Sequence, residues 1–379
     1  MANTIIALVS YPFLPARNGG QRAIALFYQY FSRYCPVLCI TTRSSEPAYA
    51  AGYRVENILS SSATRYINLF YFFLLRKKIK QERATHLIIE HPYYGWLAIL
   101  LQFFCGIKLI VRSHNIESLR FKSIGKWWWK ILWWYERFIH RQAHLNFFIT
   151  EEDRNFAIEN FQLKPSACST ITYGFESTSP PPPNEKKAAR QQLQQLYNLN
   201  EAALILLFNG MLDYKPNLDA VDRILHNINP LLLRTHGLNY KIIVCGKNLP
   251  AAYNNLREYA NNNIIYAGFV EDINLYFTGA DIFINPVTDG GGIKTKLIEA
   301  LGSNLSCVST ISGAAGIPVS VTRQKMLLAD DNNWEDFTNK ISQIDPAIHT
   351  PDSFFDHFYW GNVVKKAVTL IEKDWPAKL

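Results

Sequence analysis

Ile282-Phe283-Ile284-Asn285-Pro286, followed by Asp289-Gly290-Gly291-Gly292-Ile293-Lys294-Thr295-Lys296-Leu297-Ile298-Glu299-Ala300-Leu301, is the stretch on which the fold of this 379-residue chain turns. Three apolar residues in a row, Ile282, Phe283 and Ile284, predict a short strand buried on both faces, and Pro286 ends its hydrogen-bonding ladder. Three glycines then free the backbone, and the apolar spacing beyond them is that of a helix. A strand that runs through a glycine loop into a helix presents several amides to one anion at the helix entrance. Lys294 and Lys296 add positive charge there. Glu299, inside the helix, is a carboxylate suited to the two hydroxyls of a ribose. Glycines cost chain entropy, so a triplet predicts a role beyond a plain turn.

The same alternation runs along the whole chain. Thr4–Ser10, Pro36–Thr41, His86–Glu90, Lys108–Arg112 and Leu145–Ile149 read as buried parallel strands, with a helical pattern over Arg22–Arg33. Pro180-Pro181-Pro182-Pro183 within Ser177–Lys187 predicts a stiff exposed linker. After it come strand-like runs at Leu204–Phe208, Lys241–Cys245, Ile264–Tyr266, Ile282–Asn285 and Leu305–Ser309. Two βαβ arrays predict two Rossmann-like, doubly wound α/β domains, 1–180 and 181–352, and the length suits two cores. A last helical pattern, Phe354–Trp375, occupies residues 353–379 after a break around Pro346–Pro351.

Three further loops sit where strands of open α/β sheets deliver ligand-binding residues. Asn18-Gly19-Gly20-Gln21-Arg22 follows the first strand, although it is not a dinucleotide fingerprint. Phe208-Asn209-Gly210 to Lys215-Pro216-Asn217 precedes a helix expected to start at Pro216, with Lys215 placed to neutralise a diphosphate. Val111-Arg112-Ser113-His114-Asn115 ends a first-domain strand. Each also reads as an ordinary turn or a solvated side chain when taken alone.

Taken together, these segments resemble the GT-B glycosyltransferases of family 4, retaining enzymes with two Rossmann-like domains facing a central cleft. Ile149-Thr150-Glu151-Glu152-Asp153, Tyr173-Gly174-Phe175-Glu176 and Gly268-Phe269-Val270-Glu271-Asp272 complete the resemblance, in the family's order. It implies a final helix, with Trp360, that returns to the N-terminal domain. It also implies that Glu299 binds the donor ribose, that the Val270 backbone meets the base, that Gly20 lies near the diphosphate and that His114 lies near the transferred sugar. Two family positions differ. Gly291 stands where the first glutamate of the E-x7-E pair would fall, leaving Asp289 as the nearest carboxylate. Met211 stands where a phosphate-binding arginine would fall, leaving Lys215 with Lys294 or Lys296.

The implied reaction is transfer of a sugar from a nucleotide sugar, UDP- or GDP-linked, to a glycan, lipid-linked or other small acceptor. His114, Lys215 and Asp289 are the expected catalytic groups. Gly19, Gly20, Gly210, Lys215, Val270, Gly291, Gly292, Ile293, Lys294, Lys296 and Glu299 are the expected donor contacts. No cofactor and no metal are expected, since the chain has no D-x-D sequence for a metal–diphosphate clamp. A nucleotide-sugar epimerase and a catalytically silent nucleotide-sugar-binding partner share the fold and stay open. The net charge of +8 calls for an anionic partner, but no recognised nucleic-acid module is visible. Residues 112–141 carry seven Lys or Arg against Glu117 and Glu136. Interleaved with them, Trp127, Trp128, Lys130, Trp133 and Trp134 predict peripheral contact with a membrane interface. No apolar run is long enough to span one. The six cysteines lack C-x-x-C spacing and read as reduced core residues, and the expected location is cytoplasmic, at the inner face of the cell membrane.

Overall fold

A computed structural model describes residues 4–373. The chain divides into two compact units, the first made of residues up to Gly174 together with those from Trp360 onward, the second of Phe175–Tyr359. Both are α/β.

The sheet of the first unit has seven parallel strands. They are β1 (Thr4–Val9), β2 (Val37–Thr42), β3 (Arg54–Leu59), β4 (Ala84–Glu90), β5 (Lys108–Ser113), β6 (Leu145–Phe148) and β7 (Cys168–Thr170), in the order β3-β2-β1-β4-β5-β6-β7. The second sheet has six, namely β8 (Leu204–Asn209), β9 (Tyr240–Cys245), β10 (Ile264–Gly268), β11 (Ile282–Asn285), β12 (Ser306–Thr310) and β13 (Met326–Ala329), in the order β10-β9-β8-β11-β12-β13. The central strands are continuous apolar runs because helices cover both of their faces. In the first unit Ile6, Leu8, Leu87, Ile89, Leu109 and Val111 point to one side. There they pack against helices Phe70–Glu82, Gly95–Cys105 and Trp129–Gln142.

In each sheet the strand order reverses once, between β1 and β4 and between β8 and β11. A reversal sends the flanking connections apart and opens a crevice at the carboxyl ends of those two strands. The Gly19-Gly20 loop follows β1, the Gly210–Lys215 turn follows β8 and the triple glycine follows β11.

Several boundaries differ from the sequence-based expectation. Helix Pro183–Tyr197 starts inside the proline run, since a proline is tolerated where the first helical amides need no partner. The linker therefore ends at Pro182. The first helix begins at Gly19 rather than Arg22, with the Asn18 side chain accepting from the Gln21 amide at 3.0 Å. The helix after β8 begins at Lys215, one residue before Pro216. The pattern expected over Phe354–Trp375 is two helices, Asp352–Phe358 and Trp360–Lys373, because Tyr359 is extended and forms a parallel bridge with Phe175. Trp375 lies outside the described residues. Trp360 is fully buried in the first unit, against Tyr173, Tyr30 and Gly174.

Candidate functional site

In the second unit the glycine loop is fixed at its base. The Asn285 side chain donates to Ser309 Oγ at 2.9 Å and to the Gly313 carbonyl at 3.0 Å, and Arg223 Nη1 holds the Pro286 carbonyl at 3.0 Å. Thr310 Oγ1 donates to the Val287 carbonyl. Beyond that anchor Gly290 and Gly292 take φ of 91° and 74°, which favours glycine at both. Helix Thr295–Gly302 then begins, with Lys294 as its N-cap.

Lys294 does not reach out as a free cation. Its Nζ turns back onto the loop, donating to the Gly290 carbonyl at 2.5 Å and lying 3.4 Å from that of Gly292. Burial lowers its pKa to about 8, against a smaller opposing pull from Asp289. In this position the side chain ties the loop together, and its positive charge stays at the helix entrance. Lys296 pairs with Glu299 at 2.8 Å, and the Glu299 side chain is largely buried in the second turn of the helix. Asp289 is exposed, 3.6 Å from Arg223 Nη2 and 3.0 Å from Thr288 Oγ1. Lys215, 82% exposed, is shared between both oxygens of Asp219, and an exposed ion pair of this kind readily exchanges its partner. At Gly210 a side chain would collide with Asn217, whose amide reaches the Met211 carbonyl at 2.9 Å, so this glycine lets the turn fold over the helix entrance. Val270 is half-buried, in the loop that follows the left-handed Gly268 at the end of β10.

In the first unit the carboxyl ends of β4 and β5 carry a buried charged network. Glu90 and Arg112 are register partners on adjacent strands, so their side chains emerge together on the side covered by the first helix. Arg112 Nη1 lies 3.1 and 3.0 Å from the two Glu90 oxygens, and its guanidinium stacks 4.0 Å from the centre of the Phe27 ring. Tyr28 Oη donates to Glu90 Oε1 at 2.6 Å. His114, two residues beyond Arg112, places Nε2 2.7 Å from Glu90 Oε2. Burial raises the Glu90 pKa, but Arg112, His114 and Tyr28 outweigh it and leave the group at about 2. Burial and Arg112 lower His114 to about 4, so its imidazole is neutral at pH 7. With its proton on Nε2 facing Glu90, Nδ1 keeps a lone pair and serves as a hydrogen-bond acceptor.

Sequence reasoning singled out His114 but missed what holds it. It also missed His91, a non-glycine residue at φ 62°, whose ring lies 4.7 Å from that of His114 and 3.4 Å from Tyr11 Oη by its Nε2. Glu117 lies 3.3 Å from His91 Nδ1 and also binds Arg120 and Tyr93. The available signal was two ionisable residues, Glu90-His91, closing the apolar run Leu87–Ile89. Gly19 and Gly20 form the first turn of the first helix. A side chain built on Gly20 would meet only Asn18 Oδ1, at 3.6 Å, so packing does not require glycine there.

The tryptophan segment separates into two groups. Trp127 and Trp134 are exposed, and so is Lys130. Trp133 instead packs against Phe161 and helps cover a small core with Phe148 and Ala157, and Trp128 rests on Phe121 at 4.5 Å. The expectation that all four tryptophans meet a membrane is corrected for Trp133, which is occupied by its own fold.

Two mostly parallel, doubly wound units with glycine-loop entrances at both switch points define the GT-B architecture. The sequence model described as "Glycosyltransferase Family 4" matches residues 17–177, and that described as "Glycosyl transferases group 1" matches residues 203–344. The two matches together span most of the chain, which belongs to the family 4, group 1 glycosyltransferases and is a transferase enzyme. Among its relatives, an uncharacterized 44.6 kDa protein in the cps region of Klebsiella pneumoniae is 23% identical over 359 residues, covering 87% of this chain and 88% of that protein. Among solved structures, a glycosyltransferase of Rickettsia africae superposes with a TM-score of 0.73 at 13% identity, over the full length of both chains. The Anabaena HepE protein in complex with UDP superposes with a TM-score of 0.71 at 11% identity, over 97% of this chain and 99% of that one.

Proposed function

We propose that this glycosyltransferase moves a sugar from a UDP- or GDP-linked donor to a hydroxyl of a glycan, lipid-linked or other small acceptor, with retention of configuration and without a metal ion. The observation that carries the donor class is the glycine loop. It is anchored at Asn285 and Pro286, closed by Lys294, and leads into a helix whose second turn holds the largely buried Glu299. Such a loop directs amides at a diphosphate, and a carboxylate one turn along the helix suits a ribose. That HepE has been solved with UDP and with UDP-glucose supports the same donor class.

In the reaction the bond from the anomeric carbon to the diphosphate oxygen breaks while the acceptor oxygen bonds to that carbon on the same face. The acceptor proton leaves with the diphosphate. Negative charge grows on the leaving group through an oxocarbenium-like transition state, so fixed donors there contribute most of the stabilisation. The amides of Gly291, Gly292 and Ile293 and the exchangeable Lys215 serve that purpose. The family resemblance assigns Gly20 to the diphosphate and His114, whose Nδ1 can accept a hydrogen bond, to a hydroxyl of the transferred sugar. The Val270 backbone meets the base, and Asp289 replaces the missing glutamate at the sugar.

The test is a transfer assay with UDP- and GDP-sugars in the presence of a chelator, with the first-formed anomer followed by NMR. Retention of the donor configuration in chelator is expected. Inversion would reject the same-face mechanism, strict dependence on added divalent metal would reject metal independence, and donor isomerisation without acceptor would point to an epimerase.

A further inference from the structure

The helices Phe70–Glu82, Gly95–Cys105 and Trp129–Gln142 form one layer, because all three contribute to the core on the same side of the first sheet. Their inward residues are spent on that core, yet their outer surfaces are not polar. On the first helix Phe70 and Phe73 are exposed, and on the second Phe103 and Phe104. Phe104 also contacts Phe72 at 5.5 Å, which links the two helices through their aromatic residues. Leading into and along the third helix, Trp127, Ile131, Trp134 and Phe138 are exposed at a spacing of four, three and four residues, a single helical stripe. Trp127 is 82% exposed, Phe103 81% and Phe70 80%. Isolated exposed apolar residues need no explanation, but aromatic stripes on adjacent helices do.

The charge around these stripes has one sign. Lys77 and Lys80 continue the exposed side of the first helix beyond Phe73, and Lys122, Lys126, Lys130 and Arg141 surround the tryptophan stripe. The acidic residues of the three helices do not offset them. Glu136 is buried and accepts from the Glu117 and Ser118 amides, and Glu82 is taken by Arg54. The second helix has no charged residue. Among the described residues no helix is long and apolar enough to cross a membrane.

We propose that the outer side of this helical layer docks on the surface of an anionic phospholipid bilayer. Phe70, Phe103, Trp127 and Trp134 insert to the level of the acyl boundary, and the lysines sit among the phosphate headgroups. Aromatic residues inside a basic rim match an interface that is apolar below and negatively charged above. A second copy of the chain does not match, since face-to-face contact would set basic rim against basic rim. The inference does not rest on the donor reading, and its test measures binding rather than turnover.

The purified chain is sedimented with phosphatidylcholine vesicles, with and without phosphatidylglycerol, at low and high salt. Binding is expected only with phosphatidylglycerol and is expected to weaken with salt. Trp127→Ser with Trp134→Ser, and separately Phe70→Ser with Phe103→Ser, should each weaken it about tenfold or more while leaving thermal unfolding unchanged. Lys126→Glu with Lys130→Glu should remove most of the salt-dependent part. No sedimentation with either vesicle overturns the proposal, and so does binding that both aromatic variants leave intact. Analytical ultracentrifugation showing a dimer that Trp127→Ser with Trp134→Ser converts to monomer would also overturn it, in favour of self-association.

Discussion

Replacing Glu90 by glutamine keeps the shape of a buried side chain and removes its charge. Arg112, fully buried, would then keep a guanidinium with no carboxylate within reach, and Tyr28 and His114 would lose a charged acceptor. Breaking a buried ion pair from one side costs about 3–5 kcal/mol, because the remaining charge cannot return to water. For a unit of this size that corresponds to a drop in Tm of roughly 6–20 °C. Arg112→Met should cost a similar amount, since it leaves the carboxylate unpaired. The double variant Glu90→Gln with Arg112→Met should cost less than the two single losses combined, because neither charge remains. Differential scanning calorimetry on the four proteins closes the cycle. A Glu90→Gln shift of less than about 2 °C, or strict additivity in the double variant, would refute the buried network as described.

Four other perturbations follow from the same structure. Burial holds the His140 pKa near 4, against 6.5 for a free imidazole, so between those values the unfolded chain takes up a proton that the native state refuses. Stability should therefore fall as pH drops from about 6.5 towards 4. The stabilisation from Glu90, whose pKa is lowered to about 2 from 4.5, is present above about pH 4.5 and is lost only as pH falls through about 2. Buried Glu136, raised to about 7, pulls the other way over this range, so the His140 part is read from the difference between wild type and His140→Asn. A pH dependence of Tm that this variant leaves unchanged would contradict it. Gly174→Ala would set a methyl 2.2 Å from the immobile Trp360 ring and should destabilise by about 1–3 kcal/mol. Gly20→Ala, with open space around it, should be neutral or slightly stabilising in urea unfolding yet reduce turnover. Lys294→Met removes the bond that closes the glycine loop and should raise the donor KM by about tenfold with little loss of Tm. An unchanged KM would show that the loop keeps its shape without it.

The central strands were legible because a parallel strand covered on both faces must be a continuous apolar run, as in Ile282–Ile284 and Ile5–Val9. The edge strands β3, β7 and β13 were not. Arg54–Leu59 mixes charge with apolar residues because one edge faces solvent, and Cys168–Thr170 is only three residues long. The glycine loop announced itself through composition. The direction taken by the Lys294 side chain did not, since solvent and its own loop carbonyls are both within reach of a flexible side chain. The network at Glu90 depends on register between strands far apart in sequence, and spacing along one segment carries no such information. Trp133 and Trp134 are adjacent and look alike, yet a helix turns about 100° between them, which sends one into the core and the other to the surface.

Nucleotide binding tests the central claim most directly, with UDP, GDP and ADP offered in a thermal-shift measurement to the wild type and to Glu299→Gln. At about a hundredfold excess over Kd a bound nucleotide adds about 2.7 kcal/mol, roughly 5–10 °C for a unit of this size. UDP or GDP is expected to produce that shift. Glu299→Gln, losing charge-assisted bonds to the ribose, should need tenfold or more nucleotide for the same effect. No shift with any of the three nucleotides, or an equal shift in the variant, would contradict a donor site built on the glycine loop and Glu299.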